Sequence, residues 1–310
     1  IAPLMGVVEP SNPNYLLAAS AVMNIIVYSN ARGQVLFMKC HGIDKAVQML
    51  GSANNEENLM GAKLLYQLVI QPNERVKSAI VKELYAQPTF LTSLTQLISR
   101  ADGELAELLM AIVYAVSIVR GHEKEFLDSG LIYELFDFMQ FPLPEGKTMN
   151  SFTWAVNALF SCLYEKDLYP NMKMIGLSDI LVNILKRYRN MDQQITSSVL
   201  GSVRYLISYE PIQMEFVVLD IRNILSVIAN DQQMQPQARA LAKSISHILS
   251  SDKNMSLLRQ IQNNMKHSES VEVDTDKLIA TALRAKEAQQ NEMAAKEVVK
   301  STTSVCTPAD

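Results

Sequence analysis

The pattern small-small-x-small-apolar-x-polar-apolar recurs along this chain at a nearly fixed interval, and no other feature restricts the fold as much. It first appears as Ala18-Ala19-Ser20-Ala21-Val22-Met23-Asn24-Ile25 and returns as Gly61-Ala62-Lys63-Leu64-Leu65-Tyr66-Gln67-Leu68. The fourth copy, beginning at Trp154, is also clear, and looser copies begin at Met110, Gly201 and Ser244. Their closing apolar residues, Ile25, Leu68, Ala115, Leu159, Leu206 and Ile248, stand 42 to 47 residues apart. A period of that size marks stacked helical units. One unit cannot bury its own apolar face, so neighbours must stack into a continuous elongated core. Small residues such as Ala18, Ala21, Gly61, Ala62 and Ala111 are expected to let the third helices pack closely.

A second marker runs in step with the first. Gly42-Ile43, Gly130-Leu131 and Gly176-Leu177 are each expected to end one short helix and open the next, and Asp220-Ile221 takes the same place in the sixth copy. Gln87-Pro88 stands near the expected point in the third. Glycine suits a helix end because it enters the left-handed region cheaply, and proline cannot continue a helix. Each unit therefore reads as a short helix, a turn, a second helix, a loop and a longer third helix. Composition agrees: 48% of the residues are apolar, while Gly and Pro number only 11 each in 310. Leu, Ile, Met and Ala dominate, and no short alternating runs suggest strands.

The Ala-Ala-x-Ala-Leu-x-Asn-Leu type of third helix and the mid-repeat glycine together resemble the armadillo repeat family, over roughly residues 14 to 251. HEAT repeats have a similar period but two helices per unit, and the mid-repeat glycine favours armadillo. The resemblance implies an all-α, right-handed superhelical solenoid of about six armadillo/HEAT-like repeats. Residues 1–13, with Pro3, Pro10 and Pro13, are expected to form an irregular lead-in. The first copy shows only a third helix, expected over Asn14 to Asn30, which suggests the C-terminal piece of a longer protein. Residues 252–267 read as a capping helix, and 268–310 as an acidic linker, a charged helix and a disordered tail.

Marks of catalysis are missing from the sequence. The four histidines, His41, His122, His247 and His267, show no metal-ligand spacing. There is no Gly-rich phosphate loop and no Gly-x-Ser-x-Gly. Cys40 and His41 are adjacent, and neighbours on a helix do not face each other. Glu56-Glu57 and Asp274-Asp276 are expected in polar loops without a cleft. No enzymatic activity, cofactor or metal is expected. The formal net charge of −4 gives no nucleic-acid footprint. The basic run Lys186-Arg187-Tyr188-Arg189 is expected near a helix end, where cations suit the dipole. The apolar run Leu108 to Val119 is too short to span a bilayer, so no membrane insertion is expected. Cys40, Cys162 and Cys306 form neither a disulfide framework nor a metal site. Free thiols in apolar helices point to a reducing compartment: the cytoplasm, with the nucleus as the alternative.

In armadillo proteins the third helices line a concave groove that takes partner segments, with Trp and Asn at fixed points in the peptide-binding members. By position, the Asn point here holds Asn24, Gln67, Tyr114, Ala158, Tyr205 and His247; the Trp point holds Ser20, Lys63, Met110, Trp154, Gly201 and Lys243. Only Asn24 and Trp154 match. Asn157 sits one place off and is expected to turn away. The regular ladder of the nuclear-import adaptors is missing. One turn further lie Tyr28 and Tyr209, and aromatic residues of this kind suit binding hot spots. The candidate groove is thus Asn24, Tyr28, Lys63, Gln67, Tyr114, Trp154, Tyr205, Tyr209 and His247. The resemblance implies a monomeric, non-catalytic scaffold or adaptor for a protein partner. The alternatives it offers are a chaperone-associated factor, of the heat-shock 70 exchange or myosin or axonemal assembly type, and a small-GTPase regulator.

Overall fold

The computed structural model describes residues 1–9, 12–70, 74–140 and 142–250, with the side chains of 29–31 left aside. The expectations for 252–267 and 268–310, and for Cys306, lie outside the described residues. The described helices fall within one unit, Ile1–Ser251.

A short helix α1 (Ala2–Met5) packs on α2 (Tyr15–Lys39). The chain then runs through α3 (Gly42–Leu50), α4 (Asn55–Val69), α5 (Glu74–Ala86), α6 (Phe90–Ile98) and α7 (Gly103–Ser117). It continues with α8 (Glu123–Asp128), α9 (Leu131–Phe138), α10 (Met149–Cys162), α11 (Tyr169–Met174) and α12 (Leu177–Leu185). The array ends with α13 (Gln193–Leu206), α14 (Glu210–Val218), α15 (Ile221–Asn230) and α16 (Pro236–Leu249). Every described element is helical or a turn. The third helices α2, α4, α7, α10, α13 and α16 pack each on the next, while α3, α6 and α9 pack in a second layer.

Local chemistry sets the ends of the third helices. The Asn54 side chain accepts from the Glu56 N–H at 2.9 Å, and Asp192 accepts from the Gln194 N–H at 2.6 Å. Thr148 and Ser151 close a reciprocal capping box. Pro236 opens α16, where a missing N–H costs nothing. Glu56 and Glu57 belong to the first turn of α4, not to a loop, because Asn54 caps the helix just ahead of them. Their charge suits the positive end of the helix.

The core is a stripe on each third helix. Ala242, Ile245 and Leu249 are 2% exposed or less, as are Val199, Val203 and Leu206, at helical spacing. Leu108 to Val119 forms most of α7, where Leu109, Met110, Ile112 and Val113 are wholly buried.

Two expectations about repeat punctuation need correction. Gly130 (φ 81°) and Gly176 (φ 73°) do hold the left-handed turn, and Asp220 (φ 50°) holds the equivalent place. In the second repeat that residue is His41 (φ 56°), not Gly42. Gly42 is needed for space instead, since a Cβ there would lie 2.5 Å from the Phe37 ring. The first third helix also does not stop at Asn30. It runs on to Lys39 and so serves as the first helix of the next repeat. Between Ser29 and Gln34 no proline breaks it, and Gly33 weakens a helix by only about 1 kcal/mol.

Small residues pack closely, though not always against a third helix. Gly61 meets α3: a Cβ there would lie 2.8 Å from the Ala46 carbonyl oxygen and 2.9 Å from the Leu50 nitrogen. Gly201 meets the third-helix neighbour, with a Cβ 2.7 Å from the Phe160 ring. Polar contacts knit one repeat to the next. Thr148 Oγ1 donates to Glu107 at 2.7 Å, and Ser178 Oγ donates to Glu215 at 2.7 Å. Lys186 caps α12 and Tyr188–Asn190 forms a 3₁₀ turn, so the basic run does stand at a helix end.

Candidate protein-binding groove

On α7, α10 and α13 the third-helix face opens into two cavities. One, of about 770 Å³, is lined by Tyr66, Glu107, Trp154, Asn157, Asp192 and Gln194 among others. The second, of about 460 Å³, is lined by Tyr114, Ile118, Arg120, Asn157, Tyr164 and Gln194, with Phe160, Ser161 and Ser198. Asn157 and Gln194 border both, so the cavities adjoin along the helix axis. The first lies toward the N-terminal ends of α10 and α13. The second lies toward the C-terminal ends of α7 and α10.

Tyr114 and Trp154 come together, with ring centroids 5.2 Å apart at 32°. Both rings are half-buried. Tyr205 belongs to a second aromatic group, 4.9 Å from Tyr164 and 5.7 Å from Phe160. Its hydroxyl is held above the ordinary value, first by a hydrogen bond with Tyr164 and then by burial. The Arg120 guanidinium lies 4.1 Å from the Tyr164 ring centroid, close enough for a cation–π contact.

The other sequence-predicted residues lie elsewhere on the array. Lys63 pairs with Glu104 at 3.0 Å, linking α4 to α7. Gln67 is half-buried on α4. Asn24 is exposed and Tyr28 is 85% exposed on α2, and His247 is exposed on α16. They stand at the two ends of the third-helix series. Tyr209 caps the start of α14, past the end of α13, and its ring faces Tyr169 at 6.2 Å.

Asn157 does not turn away from this face. It is 8% exposed, its Oδ1 accepts from Ser198 Oγ at 2.7 Å, and it borders both cavities. Residues three apart on a helix are neighbours, so a position three after Trp154 shares its side. That signal was present in the sequence. Arg120 and Tyr164 were not legible in the same way. They leave loop segments at the ends of α7 and α10, where helical spacing has no force.

Cys162, His41 and His122 are each buried or engaged. The Cys162 thiol is 1% exposed, and burial pushes it up to about 12. His41 Nδ1 stands 3.2 Å from Asp44 Oδ2, and Cys40 is part-buried beside it. His122 stacks flat on Tyr85, with centroids 3.7 Å apart. Among the described residues no group of three or more His, Cys, Asp or Glu is placed to hold a metal ion. No described helix is long and apolar enough to cross a membrane.

No protein-family model matches the chain, and no curated protein matches it in sequence. Solved structures match it closely in shape. One designed armadillo repeat protein superposes with a TM-score of 0.65 at 11% identity, covering 80% of this chain and 99% of the other. Computationally designed armadillo repeat proteins for modular peptide recognition give 0.67 at 11% identity, over 79% of this chain and 97% of theirs. A designed armadillo repeat protein in complex with the peptide (KR)4 gives 0.64 at 10%, over 79% and 97%. The chain therefore has the armadillo-like repeat fold, an all-α right-handed superhelical solenoid of about six repeats.

Proposed function

We propose that this protein is a non-catalytic scaffold that binds an extended segment of a protein partner along α7, α10 and α13. One observation carries the reading: two adjoining cavities on that face share Asn157 and Gln194 and are walled by Tyr114 and Trp154. A half-buried aromatic pair offers contact area at low entropic cost, and aromatic anchors dominate binding hot spots. Structural neighbours of this fold recognise peptides, one of them the peptide (KR)4.

Selection from a random phage-displayed peptide library against the full chain tests this. Peptides recovered on the wild type should lose binding to Trp154→Ala and Tyr114→Ala. They should keep it on Lys82→Ala, an exposed change on the outer helix α5. Peptides that bind all three variants alike would move the site off this face.

A further inference from the structure

The two cavities differ in charge. The larger one carries the carboxylates of Glu107 and Asp192. The smaller one carries no acidic residue, and its single charge is the Arg120 guanidinium. Arg120 makes no ion pair among the described residues, and its face is held against the Tyr164 ring. Beside it the Asn157 amide is oriented, because Ser198 Oγ donates to its Oδ1 at 2.7 Å. The Nδ2 end of this nine-tenths buried side chain is thereby left as a donor, with no acceptor among the described residues. The Gln194 side-chain amide borders the same space.

We infer that the smaller cavity receives an acidic side chain, Asp or Glu, of the bound segment. Arg120 would pair with the carboxylate, and Asn157 Nδ2 would donate to it. The inference rests on the groove reading above and adds the chemistry of its occupant. Charge-assisted hydrogen bonds to a carboxylate are stronger than neutral ones, and a guanidinium suits its planar geometry. The carboxylates of the neighbouring cavity repel an acid, which fixes the side on which it enters. The C-terminal ends of α7 and α10 oppose an anion with about half a charge each. Selectivity therefore depends on the full charge of Arg120.

The same peptide selection decides it. Peptides recovered on the full chain should carry Asp or Glu well above their library frequency. A synthetic copy with that acid replaced by its amide should bind about tenfold more weakly, and the difference should shrink at high salt. Arg120→Gln, an exposed change, should equalise the acid and amide peptides, and Arg120→Glu should reverse their order. Recovered peptides that depend on Trp154 yet show no acidic preference would overturn this inference and leave the groove reading standing. An acidic preference that survives Arg120→Gln would overturn it too. Failure to recover any peptide above background would take the groove reading down with it.

Discussion

The ring of Tyr114 leans on that of Trp154 at 5.2 Å and 32°, across the contact between α7 and α10. The pair fills space between repeats on one side and leaves both rings half-exposed on the other. Phe152, two residues earlier on α10, points the opposite way and is wholly buried. Phe152→Ala should cost about 3–5 kcal/mol. Trp154→Ala should cost only about 1–2 kcal/mol, since part of its surface is already in water and the aromatic pair adds about 0.5–1.5 kcal/mol. Trp154 is the only tryptophan, so its emission reports this site alone and should be quenched by acrylamide. Equal losses for the two variants in denaturant melts would place Trp154 in the core.

The repeat was legible because a 42-to-47-residue period survives loose sequence. Gly130 and Gly176 were legible because a left-handed turn after a short helix favours glycine. At His41 the same turn carries no sequence signal, since the residue is not glycine, and the adjacent Gly42 answers to the Phe37 ring instead. The groove was harder to read. Matching by family register picked Tyr114 and Trp154, which do meet, but also Tyr209, which the chain carries past the end of α13. Arg120 and Tyr164 are placed by the path of the loops, which helical spacing does not encode.

Close approach at glycine gives a contrast between two sites. Alanine in a helix is favoured over glycine by about 1 kcal/mol, whereas overpacking costs about 1–3 kcal/mol. At Gly61 the added methyl would meet the Ala46 carbonyl oxygen and the Leu50 nitrogen, both backbone atoms of α3. Backbone inside a packed helix cannot step aside. Gly61→Ala should therefore lower stability by about 1–2 kcal/mol net. At Gly201 the obstacle is the edge of the half-buried Phe160 ring, which can rotate. Gly201→Ala should be closer to neutral. Thermal melts giving Gly61→Ala the higher midpoint would contradict this ranking.

The end of the array should respond to acid. Tyr188 donates to Asp231 at 2.8 Å across consecutive repeats, and Arg189 Nε lies 3.3 Å from the same oxygen. Asp231 is held below the usual carboxylate range, first by the Tyr188 hydroxyl and then by the Gln233 N–H. A depressed carboxylate stabilises the fold above its unfolded value, about 4, and that contribution is lost as pH falls through the folded value. Tyr188→Phe should remove much of this contribution. Its stability should therefore fall less steeply than that of the wild type between about pH 4 and pH 2. Parallel acid titrations of the two proteins would refute the assignment.

Asn58 is wholly buried at the start of α4, where its Nδ2 donates to the carbonyls of Met49 (3.1 Å), Leu50 (2.9 Å) and Ser52 (2.9 Å). Carbonyls at a helix end have no partner within the helix; the Met49 oxygen also takes the Ser52 N–H and the Ser52 oxygen also takes Arg100, so the Leu50 oxygen depends most on this amide. Asn58→Leu keeps the bulk but takes the donor from the Leu50 oxygen, while Met49 keeps the Ser52 N–H and Ser52 keeps Arg100, so the cost should be about 1–3 kcal/mol. Asn58→Asp keeps the shape and replaces the donor by a buried anion facing carbonyl oxygens, which should cost more at neutral pH. Burial raises such a carboxyl, so its folded value exceeds the unfolded one. Stability is then greater when the group is protonated and is lost as pH rises. Protonation also restores one donor. The gap between Asn58→Asp and wild type in urea melts should narrow from pH 7 to about pH 5. A gap that stays constant would mean that the amide fills space without holding the end of α3.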